Sequence, residues 1–131
     1  MSDIETLTFK ELESPDLVLG DESALDDWYK EIRNKPLVEL SDGDLAKACR
    51  QGLFLEKTIQ AALIRLKEDP LAGDIFDGEL LVSLSSVARG FWESNSSLSD
   101  SVTGCLENIP PEEIDSDLRP DYELLKKNVS K

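Results

Sequence analysis

The chain has 131 residues and carries 28 Asp and Glu against 14 Lys and Arg, so its formal net charge is −14. This length suits one domain with one core, and the charge would repel phosphate backbones and anionic lipids. Nucleic acid and membranes are therefore poor partners, whereas a basic protein is a suitable one. Because the sequence contains no His, the usual His/Cys zinc sites and the Ser-His and Cys-His nucleophile pairs are excluded.

Apolar runs are short, and each is broken within a few residues by a polar or charged side chain. None is long enough for a transmembrane span, and the first five residues lack the basic and apolar regions of a secretory signal. We therefore expect a cytoplasmic protein. Cys49 and Cys105 are far apart and form no CxxC pair, so both are expected to pack as small apolar side chains rather than in a disulfide.

Apolar residues recur at helical spacing along almost the whole chain, and no stretch of six alternates like a half-buried strand. The sequence therefore predicts an all-α fold, a small single-domain bundle of about five to seven helices over residues 1–131. Thr8-Phe9-Lys10-Glu11 has the form of a capping box and marks a short first helix. A loop follows within residues 1–20, whose conformation the sequence otherwise leaves open. A second helix is expected after Ser23 and should stop before Pro36.

The next helix has a strong start signal at Ser41-Asp42-Gly43-Asp44 and is expected to break at Gly52. Three apolar stripes follow along the chain. The first runs from Leu55 to Leu66, and its helix should end at Asp69-Pro70. The second runs from Leu80 to Phe91 and predicts a long central helix. The third runs from Leu98 to Ile109, and its helix should end at Pro110-Pro111. Residues 111–131 are expected to add one or two short helices.

Asp74, Asp77 and Glu79 lie close together around two glycines. Counted from Asp74, the third and fifth positions are not carboxylates, so the spacing does not fit an EF-hand calcium loop. The acids are better explained as the start of a helix, because the helix dipole favours negative charge at a helix N-terminus. No nucleophile, base and oxyanion donors converge, so we expect no enzyme activity, no metal or other cofactor and no small-molecule substrate.

The acids are unevenly distributed, since residues 45–71 are slightly basic and the segments on either side are strongly acidic. Such acids can simply provide solubility, or they can form an electrostatic landing surface for a cationic partner. Among the aromatic residues, Trp28 and Phe91 lie on predicted core stripes. Trp92 points about 100° away from Phe91 on the same helix, and Phe76 lies in a turn, so these two are the candidates for exposed interface anchors.

Several short motifs between about Ser23 and Trp92 resemble the immunity proteins of bacterial contact-dependent growth inhibition (CDI) systems. The most specific are Lys35-Pro36-Leu37 and the run that includes Asp69-Pro70-Leu71, Gly73-Asp74 and Gly78-Glu79-Leu80-Leu81. The resemblance implies a small helical cytosolic protein that neutralises the toxic C-terminal domain of an effector delivered by a neighbouring cell. Such toxins are often basic nucleases, which an acidic inhibitor would suit.

We therefore expect an acidic, non-catalytic binder whose carboxylates enter the cationic active-site groove of the toxin. The expected partner-binding residues are Asp42, Asp44, Asp74, Phe76, Asp77, Glu79, Trp92 and Glu93. Two alternatives have the same composition. One is a helical adaptor or regulatory subunit without inhibitory activity, and the other is a DNA mimic that binds a nucleic-acid-binding protein. Rescue of cells that express the toxin would separate immunity from an adaptor role, and competition by DNA would identify a mimic.

Overall fold

The computed structural model describes residues 7–12 and 24–130, with residues 24–26 described by their backbone alone. Eight α-helices lie in these ranges, which confirms the all-α prediction. The chain divides into two compact units, residues 1–40 and 41–131, and each is described separately below. A single domain therefore stays a prediction.

The α-helices are α1 (Phe9–Leu12), α2 (Ala24–Ile32), α3 (Asp42–Gln51), α4 (Leu55–Glu68), α5 (Glu79–Ser85), α6 (Arg89–Ser94), α7 (Ser96–Glu107) and α8 (Arg119–Val129). Two short 3₁₀-helices accompany them, Leu37–Glu39 and Pro111–Glu113. The predicted tail is thus one α-helix preceded by one 3₁₀-turn.

In the first unit, α1 begins at the predicted capping box. The Thr8 hydroxyl accepts the Glu11 N–H at 3.2 Å and donates to the Glu11 carboxylate at 3.1 Å. The Phe9 ring stacks on Tyr29 of α2 with ring centroids 5.9 Å apart, which joins the two helices of this unit. Helix α2 ends before Pro36, as predicted, whereas the cap expected at Ser23 and most of the loop before it lie outside the described residues.

In the second unit, the predicted ends of α3 and α4 are confirmed. The Ser41 hydroxyl accepts the Asp44 N–H at 3.1 Å, and Gly52 closes α3 in the left-handed conformation at φ 72°. Helix α4 stops at Asp69, which is extended at φ −148° and ψ 101° because the following proline disfavours helical backbone there.

The long central helix predicted from Leu80 to Phe91 is wrong, because α5 ends at Ser85 and α6 begins only at Arg89. Serine hydroxyls account for the break. Ser83, Ser85 and Ser86 each donate to a backbone carbonyl three residues earlier at 2.6 Å, and such bonds compete with the helical pattern of the backbone.

Helices α3, α4 and α5 pack against one another, and α7 packs on α4 and α8. Cys49 and Cys105 are free thiols buried in this unit, so the prediction that they pack as small apolar side chains is confirmed. Burial raises the pKa of the Cys49 thiol to about 12. Within the described ranges, none of the helices has the length and apolar character needed to cross a membrane.

Candidate partner-binding site

Residues 73–78, called the 73–78 loop below, lead into α5 from the turn that follows α4, in which the Ala72 N–H donates to the Asp69 carbonyl. The loop is attached to the first turn of α3. The carboxylate of Asp74 accepts the backbone N–H of Gly43 at 2.8 Å. This amide belongs to the first turn of α3, where backbone N–H groups lack helical acceptors and the helix dipole favours an anion. Asp74 therefore fixes the loop to a helix N-terminus 31 positions earlier in the chain.

Glu79 holds the same loop from the protein interior. Its side chain is only 1% exposed, and its Oε1 accepts the N–H groups of Asp74 at 2.9 Å and Ile75 at 3.1 Å. The other oxygen, Oε2, lies 3.7 Å from the guanidinium of Arg50 on α3. A buried carboxylate is tolerated here because it is hydrogen-bonded and paired with a cation.

Two glycines let the chain make this turn. A Cβ at Gly73 would overlap with the carbonyl oxygen of Phe76 and lie 2.7 Å from Cβ of Glu79. Gly78 has φ +88°, a conformation that other residues rarely adopt, and a Cβ there would lie 2.9 Å from Leu118. Gly73, Asp74, Gly78 and Glu79 therefore have an architectural role.

The tip of this fixed loop carries two large apolar side chains in solvent. Ile75 is 79% exposed and Phe76 is 50% exposed, and the neighbouring Asp77 is exposed as well. A well-anchored loop that exposes adjacent apolar residues is typical of a protein-binding site rather than of a core.

A protein-family model described as CDI immunity proteins matches residues 8–102. The chain belongs to the CDI immunity protein family. The match covers the 73–78 loop and the helices that hold it, and it ends within α7. A search of curated proteins finds no significant match.

In this immunity protein, most of the predicted site residues come together around the loop, but several of their carboxylates are already engaged. Asp42 forms an ion pair of 2.7 Å with Arg65 of α4, and Asp44 lies in the same first turn of α3. Asp74 and Glu79 hold the loop, and the burial of Glu79 corrects its placement on a contact face. Asp77 and Phe76 are left as the members exposed at the tip.

Trp92 and Glu93 do not join this group. They lie on α6, which packs on α7 and α8. Trp92 is 1% exposed, so the prediction of an exposed anchor is wrong, and its neighbour Phe91 is half-buried instead of lying in the core. The helix break before Arg89 shifts the helical phase, so a stripe extended from Leu80 no longer marks the buried face. Glu93 is exposed and pairs with Arg89 at 3.4 Å.

The sequence analysis did not single out Ile75 or the acidic segment 112–117. Ile75 could have been found, because two adjacent apolar residues in a glycine-bounded loop have no helical phase that buries both. The segment 112–117 contributes Glu112, Glu113, Asp115 and Asp117. It leads to Leu118, whose side chain lies against Gly78 of the loop, a contact that no local pattern in the sequence indicates.

Proposed function

We propose that this immunity protein binds the C-terminal toxin domain of its cognate CDI effector in the cytoplasm and neutralises it by covering the active site. The match to the CDI immunity family over residues 8–102 carries this proposal. The toxin domain is proposed to be basic, and a nuclease is the class that fits best, since a groove that binds phosphates also attracts carboxylates.

The charge of the chain supports a cationic partner. A net charge of −14 on 131 residues destabilises the compact state by self-repulsion and, in return, steers an oppositely charged partner toward the protein. Fast capture suits an inhibitor that must act on an incoming toxin before the toxin acts on the cell.

The 73–78 loop is the part of the chain that we propose enters the toxin. Its backbone is held by the Asp74 and Glu79 carboxylates, so little conformational entropy is lost when it binds. The exposed side chains Ile75, Phe76 and Asp77 combine apolar area with negative charge, which is the combination that a cationic active-site groove can accept.

Co-expression tests the proposal. The chain is produced with the C-terminal domain of the effector encoded beside it, and cell survival and co-purification are measured. Survival together with a stable complex is expected. Cell death with no complex would refute the assignment to that toxin, and an adaptor role would then be pursued with an unbiased pull-down.

A second measurement tests occlusion of the active site. An inactive toxin variant is first saturated with its nucleic acid substrate, and binding of the immunity protein is then titrated. Competition is expected if both occupy one groove. Simultaneous binding of substrate and immunity protein would overturn direct occlusion while leaving neutralisation intact.

A further inference from the structure

We propose that two kinds of exposed side chain at the 73–78 loop, apolar and acidic, set the strength and the speed of toxin binding. Ile75 and Phe76 enter an apolar pocket of the toxin that is bordered by Lys and Arg, and they determine the dissociation rate. The exposed carboxylates beside them, Asp77 and Asp117, determine the association rate. This inference rests on the proposed function, because it describes how the same loop engages the toxin.

The apolar pair is unusual within the described part of the chain. Four large hydrophobic side chains are exposed there, Ile64, Ile75, Phe76 and Leu124. Ile64 on α4 and Leu124 on α8 each lack an exposed large hydrophobic neighbour in the sequence, and single exposed apolar residues are common. Ile75 and Phe76 are adjacent, and Ile75 is the most exposed of the four. An interface typically gains most of its affinity from a few such anchors.

The loop geometry favours insertion of these side chains as a preformed unit. The Ile75 N–H donates to the Glu79 carboxylate, and the Phe76 carbonyl accepts the Glu79 N–H at 3.2 Å. The Gly78 N–H donates to the Leu71 carbonyl at 2.8 Å. With the backbone on both sides of the tip fixed, the contact needs only side-chain ordering.

The acidic residues at the loop identify the chemistry of the partner that binds it. Asp77 is exposed next to Phe76, and exposed Asp117 directly precedes Leu118, whose side chain lies against Gly78 of the loop. A partner that buries the apolar tip must therefore place cations opposite these carboxylates, since unpaired charge at an interface is costly. A second copy of this chain does not meet that condition, because its own loop would present the same acids and its net charge is also −14.

Binding kinetics with the purified inactive toxin domain separate the two roles. The I75S/F76S variant removes the apolar tip, and L124S is its matched control on α8. The D77N/D117N variant removes two charges beside the loop. E56Q/E107Q, on α4 and α7, changes the net charge by the same amount and is the control for total charge. Circular dichroism and urea unfolding establish that each variant is folded.

We expect I75S/F76S to raise the dissociation rate roughly 100-fold with little change in association, and L124S to bind like the wild type. D77N/D117N should slow association several-fold at low salt, more than E56Q/E107Q does, and the difference should fade as salt rises.

The outcomes that overturn the inference are distinct from failure of the proposed function. An unchanged dissociation rate for I75S/F76S, or an equal loss for L124S, would overturn the anchor role. Equal association rates for D77N/D117N and E56Q/E107Q would overturn local steering and leave only total charge. If the wild-type chain does not bind the toxin domain at all, the proposed function fails and this inference fails with it.

Discussion

Replacement of Glu79 by Ala is expected to release the 73–78 loop, because a single carboxylate holds it from inside the protein. Its Oε1 accepts two backbone N–H groups at 2.9 and 3.1 Å. A hydrogen bond to a charged group contributes about 1.5–3 kcal/mol. We use the lower value for each bond, since water can reach the two amides once the loop opens, and obtain about 3 kcal/mol.

The pair with Arg50 adds little to this figure. Its shortest N–O distance is 3.7 Å, and the Arg50 side chain is 40% exposed, so screening by water limits the pair to less than about 1 kcal/mol. The free energy of unfolding should therefore fall by about 3–4 kcal/mol in E79A. E79Q keeps an oxygen that can accept both N–H groups but loses the charge, so about half of the loss, near 1.5 kcal/mol, is expected.

Urea unfolding followed by circular dichroism measures the stability, and amide hydrogen exchange at Asp74 and Ile75 measures the local opening. E93Q is the control, because Glu93 is 66% exposed in its pair with Arg89 and should change stability by less than about 0.5 kcal/mol. The role of Glu79 as the anchor of the loop is refuted if E79A unfolds like E93Q, or if the two amides exchange as slowly in E79A as in the wild type.

Three further predictions concern the second unit. Gly73→Ala should lower the free energy of unfolding by about 2–3 kcal/mol, because its Cβ would overlap with a backbone carbonyl. Gly104→Ala, in open space within α7, should raise it by about 0.5–1 kcal/mol. The midpoints of urea unfolding compare the two variants, and equal midpoints would contradict the steric argument. The Trp92 indole N–H is buried without a hydrogen-bond acceptor, so W92F should lower the free energy of unfolding by less than about 1.5 kcal/mol. W92A, which leaves a cavity, should lower it by about 3–5 kcal/mol. Thermal unfolding compares the two variants, and equal losses would contradict a role of Trp92 that rests on packing alone. Burial raises the pKa of Cys49 to about 12, so the folded state retains the proton that the unfolded state loses above its own pKa near 8.5. The free energy of unfolding should therefore fall by up to about 1.4 kcal/mol per pH unit between pH 9 and 12. C49A should show a shallower decline, and the same slope in C49A and the wild type would disprove the contribution of Cys49.

Much of the fold could be predicted because local chemistry decides it. Ser41 caps α3, Gly52 closes it and Pro70 limits α4, and each acts through backbone geometry within a few residues. The apolar stripe of α4 likewise predicted the buried residues Ile59 and Leu66, since helical spacing alone places them on one face.

The predicted central helix shows what local patterns could not predict. Its apolar spacing continued through Val87, but serine hydroxyls bonded to the backbone end α5 at Ser85. The phase of α6 was therefore no longer set by the stripe before it. As a consequence, Trp92 rather than Phe91 is buried.

The sequence by itself determined that this protein is acidic and helical, and the motif around Asp74 marked the loop that we propose as the binding site. It could not say which carboxylates bind backbone amides. Asp74 bonds across 31 positions to Gly43, and Glu79 turns inward to hold the loop. Only the tertiary structure decided these roles, because the sequence does not show which backbone amides packing brings near a carboxylate.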